Sequence, residues 1–117
     1  MTVRRHSEDY FFTPPADVSK IVREILSRRP PYTHTRELVK EAVFKTNIRP
    51  DWWYLGTEMT IQLVPQNNGT RIVADTKSPW FILGDIGDFY NRYLRDFLRD
   101  VRLELQRIAL YKKNASV

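Results

Sequence analysis

The sequence predicts an α+β domain: an antiparallel β-sheet of four or five strands, with one short N-terminal helix and one long C-terminal helix packed on one face. Three observations carry this. Val18, Ile21, Val22, Ile25 and Leu26 recur at helical spacing near the N-terminus. The stretch TEMTIQLVPQNNGTRIVADTKS alternates apolar and polar residues on both sides of an Asn-Gly pair. From Ile86 onward, Phe89, Tyr90, Tyr93, Leu94, Phe97, Val101, Leu105 and Ile108 form a second and longer helical stripe.

The first strand is expected in EDYFFT, aromatic and closed by TPP. Thr13 then caps a helix whose first turn accepts Pro14 and Pro15, because those amides lack intrahelical acceptors, and Pro30 with Pro31 ends it. The segment THTRELVKEAVFKTNI reads two ways. Leu38, Val39, Ala42 and Val43 suit a helix face, whereas Ala42, Phe44, Thr46 and Ile48 suit a strand face. The β-branched and aromatic second half, ending in turn residues, favours the strand. A type I′ turn at Asn68 and Gly69 would pair Leu63 with Ala74, Ile61 with Thr76 and Met59 with Ser78 on the core face. Gln62 with Asp75 and Thr60 with Lys77 would then face water.

Upstream of that hairpin, RPDWWYLG raises a question of alternation, since neighbours on a strand point to opposite faces. If the strand runs unbroken, Trp53 and Leu55 share the core face and Trp52, Tyr54 and Glu58 the outer one; a bulge at Gly56 would exchange them. One tryptophan is left in need of cover either way. After SPWFI, Gly84 breaks the strand, and Asp85 caps the long helix with Asp88 in its first turn. The opposite helix face mixes signs and supplies pairs such as Asp88 with Arg92 and Asp96 with Arg99. From Asp85 to Tyr111 the helix would span about 40 Å, against a compact diameter of roughly 35 Å. Leu105, Ile108, Leu110 and Tyr111 therefore meet a partner, such as a second copy in a weak homodimer through this helix, or fray.

This element order, with GTEMTIQLVPQNNGTRIVADTKS leading into a long aromatic-bearing helix, resembles a reduced helix-grip domain of the START-like kind. The resemblance covers most of the chain in element order and implies an apolar ligand cavity between sheet and terminal helix.

Composition narrows the function. The 117 residues, 42% hydrophobic and 13% aromatic, suit a single domain spanning 1–117, with 1–6 and 112–117 expected to be flexible. With no cysteine there is no disulfide, thiolate nucleophile or thiolate metal site. No apolar segment is long enough to span a bilayer or form a leader's core, so a soluble cytoplasmic protein is expected. Nineteen Lys and Arg against 14 Asp and Glu give +5, but the bases are scattered, the pattern of a solvated surface.

Catalysis has little material. His6 lies near the terminus and His34 in a threonine-rich loop, neither at metal-ligand spacing, and the glycines serve turns rather than a phosphate loop. We expect no catalytic residues, no metal and no cofactor. A small non-catalytic binding domain is the favoured reading, with Trp52, Tyr54, Trp80, Tyr90 and Tyr93 receiving an apolar small molecule or a protein partner. The alternative is nucleic-acid or anionic-surface binding through exposed aromatics and Arg4, Arg5, Arg28 and Arg29. No RGFGFV-like motif or zinc finger supports it.

Overall fold

The computed structural model describes residues 3–28, 32–48, 57–78 and 89–115. The elements run β1 (Val3–Phe11), α1 (Pro15–Arg28), β2 (Tyr32–Leu38), a 3₁₀ turn (Val39–Glu41), β3 (Val43–Ile48), β4 (Thr57–Gln66), β5 (Gly69–Ser78) and α2 (Phe89–Ala115). The five strands form one antiparallel sheet in the order β1-β5-β4-β3-β2, so α1 carries the chain from one edge to the other.

Both helices cover the same sheet face. Phe44, Thr46 and Ile48 of β3, Met59, Ile61 and Leu63 of β4, and Ile72, Ala74 and Thr76 of β5 are buried on it. The amphipathic stripes close over them: Val18, Ile21, Val22, Ile25 and Leu26 from α1, and Leu94, Phe97, Leu98 and Val101 from α2. Phe97 meets the Tyr32 ring edge-on at 6.4 Å. The other face is polar: a row across all five strands reads His6, Asp75, Thr60, Lys45 and Arg36.

The hairpin departs from its expected pairing by one step. Gln66 pairs with Gly69, so the two-residue turn is Asn67-Asn68, at φ 48° and 64°, and not Asn68-Gly69. Leu63 therefore faces Ile72, Ile61 faces Ala74 and Met59 faces Thr76; on the wet side Thr60 faces Asp75 and Gln62 faces Val73. The buried face is unchanged, because moving the turn by one residue displaces the pairing by two. The physical reason lies in β1: a Cβ on Gly69 would overlap the Phe11 carbonyl oxygen and lie 2.6 Å from Tyr10 Oη. Gly69 is needed for space beside β1, while asparagine tolerates the left-handed turn positions.

Other boundaries also move. β1 begins at Val3, so residues 3–6, expected to be flexible, pair with 75–78. The segment 32–48 is a hairpin rather than one strand, turned by the 3₁₀ residues with Ala42 left-handed at φ 55°. His34 is in β2 at φ 54°, where the pairing shifts between Thr33 and Arg36, and not in a loop. Helix α1 starts at Pro15, so Pro14 and not Thr13 holds the cap position, and its carbonyl accepts from the amides of Asp17 and Val18. Trp52, Trp53, Gly84, Asp85, Ile86 and Asp88 lie outside the described residues, while Asp96 and Arg99 form the expected pair at 3.3 Å.

At 27 residues α2 is about 40 Å long. The molecule measures 56 × 26 × 22 Å, and its radius of gyration of 15.2 Å exceeds the roughly 13 Å of a compact chain this size. Leu105 and Ile108 still pack partly on the core, whereas Leu110 is 62% exposed. No described helix is long and apolar enough to cross a membrane.

Candidate functional site

Strand alternation at the end of β1 sends Phe11 into the core and Phe12 outward. Phe12 is 84% exposed, an unusual position for a phenylalanine. It is nevertheless fixed. Its ring stands edge-on to Tyr10 at 5.3 Å, and the Tyr10 hydroxyl reaches the Gln66 and Asn67 carbonyls at 3.0 and 2.8 Å. The next residue is held as well, since the buried Thr70 hydroxyl donates to the Thr13 carbonyl at 2.7 Å. Pro14 and Pro15 then stiffen the entry into α1.

Helix α2 closes the other side. Arg102 donates to the Asp9 carboxylate at 2.7 Å and lies 4.9 Å from the centre of the Phe11 ring. This charge-assisted bond and cation–π contact fix the helix over β1. The next turns bring Leu105, Ile108 and Ala109 opposite the start of α1. Between them lies an open, mainly apolar cleft of about 390 Å³, lined by Phe12, Pro14, Ile21, Leu105, Ile108 and Ala109, with Thr13, Asp17 and Lys20 supplying polar atoms. Its size and lining suit a small molecule.

A second depression, of about 490 Å³, centres on the polar sheet face. There Arg4 and Lys77 stand among Glu58, Asp75 and His6, while Arg5 borders it from its pairing with Thr76, whose side chain is on the opposite, covered face. His6 is paired with Asp75 and Glu8, and chiefly the hydrogen bond that its ring donates to the Asp75 carboxylate raises its pKa above 6.5. Arg36 reaches Glu58 at 3.5 Å. Signs alternate here, so Arg4 and Arg5 do not form the single-sign field that draws a polyanion. Arg28 ends α1 with its side chain outside the described part, and Arg29 is outside altogether.

The expected aromatic lining divides similarly. Trp52, Tyr54 and Trp80 lie outside the described residues, and Tyr90 and Tyr93 are placed only by backbone, in the first turns of α2. The described lining of the cleft lies toward the far end of that helix. The signals for the cleft were present in the sequence: paired phenylalanines ahead of TPP, and a stripe continuing past Val101. Their meeting is a tertiary fact that periodicity does not disclose. Among the described residues no three His, Asp or Glu side chains are grouped to hold a metal.

No family model and no curated protein matches the chain. Solved structures do. The crystal structure of Ara h 8.0201 matches over 92% of this chain and 99% of its own, with TM-score 0.53 and 10% identity. The Mll3558 protein from Rhizobium loti matches over 89% and 97%, with TM-score 0.57 and 12% identity. The di-domain ARO/CYC StfQ from the steffimycin biosynthetic pathway matches over 100% and 53%, but its TM-score of 0.47 at 16% identity is too low to support any inference. At these identities the likeness establishes the fold alone: a helix-grip α+β arrangement, here with a sheet of five described strands.

Proposed function

We propose that this is a non-catalytic binding domain that takes a small apolar molecule into the cleft between the β1–α1 turn and the C-terminal half of α2. The observation that carries this reading is Phe12, a large apolar side chain fixed at the rim of an apolar groove yet 84% exposed. Holding it there leaves apolar surface in water, and a bound apolar molecule would recover that burial. Helix-grip domains offer a cavity between sheet and terminal helix. In this chain Phe44, Met59, Ile61, Leu94 and Phe97 fill the middle of that interface and are at most 1% exposed, which leaves its end as the place for a ligand. Thr13, Asp17 and Lys20 would orient one polar group of the ligand at the mouth.

The test is a fluorescence titration with the neutral probe N-phenyl-1-naphthylamine. Saturable enhancement that is insensitive to salt is expected, because apolar burial is not screened. Phe12→Ser and Ile108→Glu should each weaken it by about tenfold or more, equivalent to ~1.4 kcal/mol. Phe12→Ser touches no buried contact, so its fold should persist. Absence of saturable binding, or unchanged binding in both variants, would overturn the proposal.

A further inference from the structure

β1 is an edge strand. It pairs with β5 along its whole length, from Val3 with Ser78 to Phe11 with Thr70, and no strand among the described residues takes its other side. Two hydrogen bonds reveal which backbone groups face that open side. The Arg4 carbonyl accepts from the Arg5 guanidinium at 2.9 Å, and the Tyr10 amide donates to the Asp9 carboxylate at 2.8 Å. In an antiparallel ladder, residues that exchange both bonds with the neighbour alternate with residues whose amide and carbonyl both point away. Arg4 and Tyr10 are of the second kind, and so are His6 and Glu8 between them.

The side chains along this edge are self-complementary about Ser7. Arg5 precedes it by two and Asp9 follows it by two; His6 and Glu8 flank it directly; Arg4 and Tyr10 lie three away. A second copy laid antiparallel with Ser7 opposite Ser7 sets His6 against Glu8, Arg5 against Asp9 and Arg4 against the Tyr10 ring. These contacts add to the bonds within each chain, His6 with Asp75 and Glu8, and Asp9 with Arg102. The His6 and Glu8 backbones exchange two hydrogen bonds, and the two-fold axis repeats them. Displacing the register by two residues sets His6 against His6 or Glu8 against Glu8, so the charges select one alignment. The opposite edge has no such regularity, because β2 is bulged between Thr33 and Arg36 with His34 at φ 54°. Bulges of that kind blunt an edge.

We infer that the open edge of β1 joins two copies of this chain in an isologous dimer whose sheet runs continuously through both. A single strand pair gives a small interface, and such interfaces are weak and transient. The association is therefore concentration-dependent, and it weakens with added salt because the paired charges are exposed. It is independent of the cleft, which lies beyond the end of β1.

Sedimentation velocity on the full chain, from about 10 µM to about 1 mM, should show reversible dimer formation in the upper part of that range, where a small interface assembles. Glu8→Arg and His6→Glu should each weaken the dimer at least about tenfold, or ~1.4 kcal/mol. An equimolar mixture of the two should restore it, because each new charge then faces an opposite one. Should His6→Glu fail to fold beside Asp75, Glu8→Pro serves instead: it removes an outward amide without touching the β1–β5 ladder, and should abolish the dimer. A wild-type chain that stays monomeric throughout would overturn the inference. So would a dimer unaffected by Glu8→Arg and Glu8→Pro, which would place the contact elsewhere, as on the exposed Leu110 side of α2.

Discussion

Gly69→Ala probes the joint on which the sheet and the cleft rim both depend. Gly69 is not left-handed, and at an ordinary φ the change would normally stabilise by about 0.4–1 kcal/mol through the unfolded chain. Here the new methyl group overlaps the Phe11 carbonyl oxygen and crowds the Tyr10 ring, with Cζ at 2.9 Å and Oη at 2.6 Å. Overpacking of this kind costs about 1–3 kcal/mol. If the ring gives way, its hydroxyl leaves the Gln66 and Asn67 carbonyls, which share its one proton, at about 0.5–1.5 kcal/mol in all. The net expectation is a loss of about 0.5–4 kcal/mol. Urea melts give the size. A cycle with Tyr10→Phe gives the mechanism, because the two changes share a contact and should be non-additive by at least about 0.5 kcal/mol. Asn68→Ala is the control, expected to cost about 1 kcal/mol through its φ of 64° alone. A Gly69→Ala chain as stable as its parent would refute the close approach of β1 to the turn.

Thr76 offers a change of the opposite sign. Its hydroxyl is buried in the core and has no hydrogen-bond partner among the described residues, so Thr76→Val should be neutral or stabilise by up to about 1 kcal/mol in the same melts. Arg23 grips Glu37 through two bonds of 2.8 Å, and chiefly this hydrogen bonding holds the Glu37 carboxyl below its ordinary value of 4.5. That stabilisation is present above pH 4.5 and is lost as pH falls through the lowered native pKa, so Arg23→Ala should flatten the acid limb of stability against pH. His6 behaves in the reverse sense. Its raised pKa stabilises the fold fully below pH 6.5, and the gain disappears as pH rises through the native pKa. An NMR titration should place His6 above 6.5 in the parent and closer to it in Asp75→Asn.

Much of the architecture could be read from periodicity. The five apolar residues of α1 are all buried where their spacing put them, and Phe44, Thr46 and Ile48 alternate inward as a strand face should. Periodicity failed where the deciding contact was distant. The turn falls at Asn67-Asn68 because Tyr10 and Phe11, more than fifty residues earlier, leave Gly69 no room for a side chain. The break at residues 39–42 carries no sequence signal, because it contains no glycine or proline: Ala42 adopts φ 55° under the pairing of its flanks, against its own preference. The described lining of the cleft draws on Phe12, Ile21 and Ile108, three ordinary members of apolar patterns that composition does not single out.

The proposed binding site is tested most directly by ¹⁵N chemical-shift mapping of the whole chain titrated with N-phenyl-1-naphthylamine. The expected result is one saturable set of shifts confined to residues 12–21 and 105–109, with the Tyr10 and Asn67 amides moving with them because Tyr10 links Phe12 to the hairpin turn. Shifts concentrated instead around 49–56 and 79–93, with the cleft residues unmoved, would contradict the cleft and return the site to Trp52, Tyr54, Trp80, Tyr90 and Tyr93.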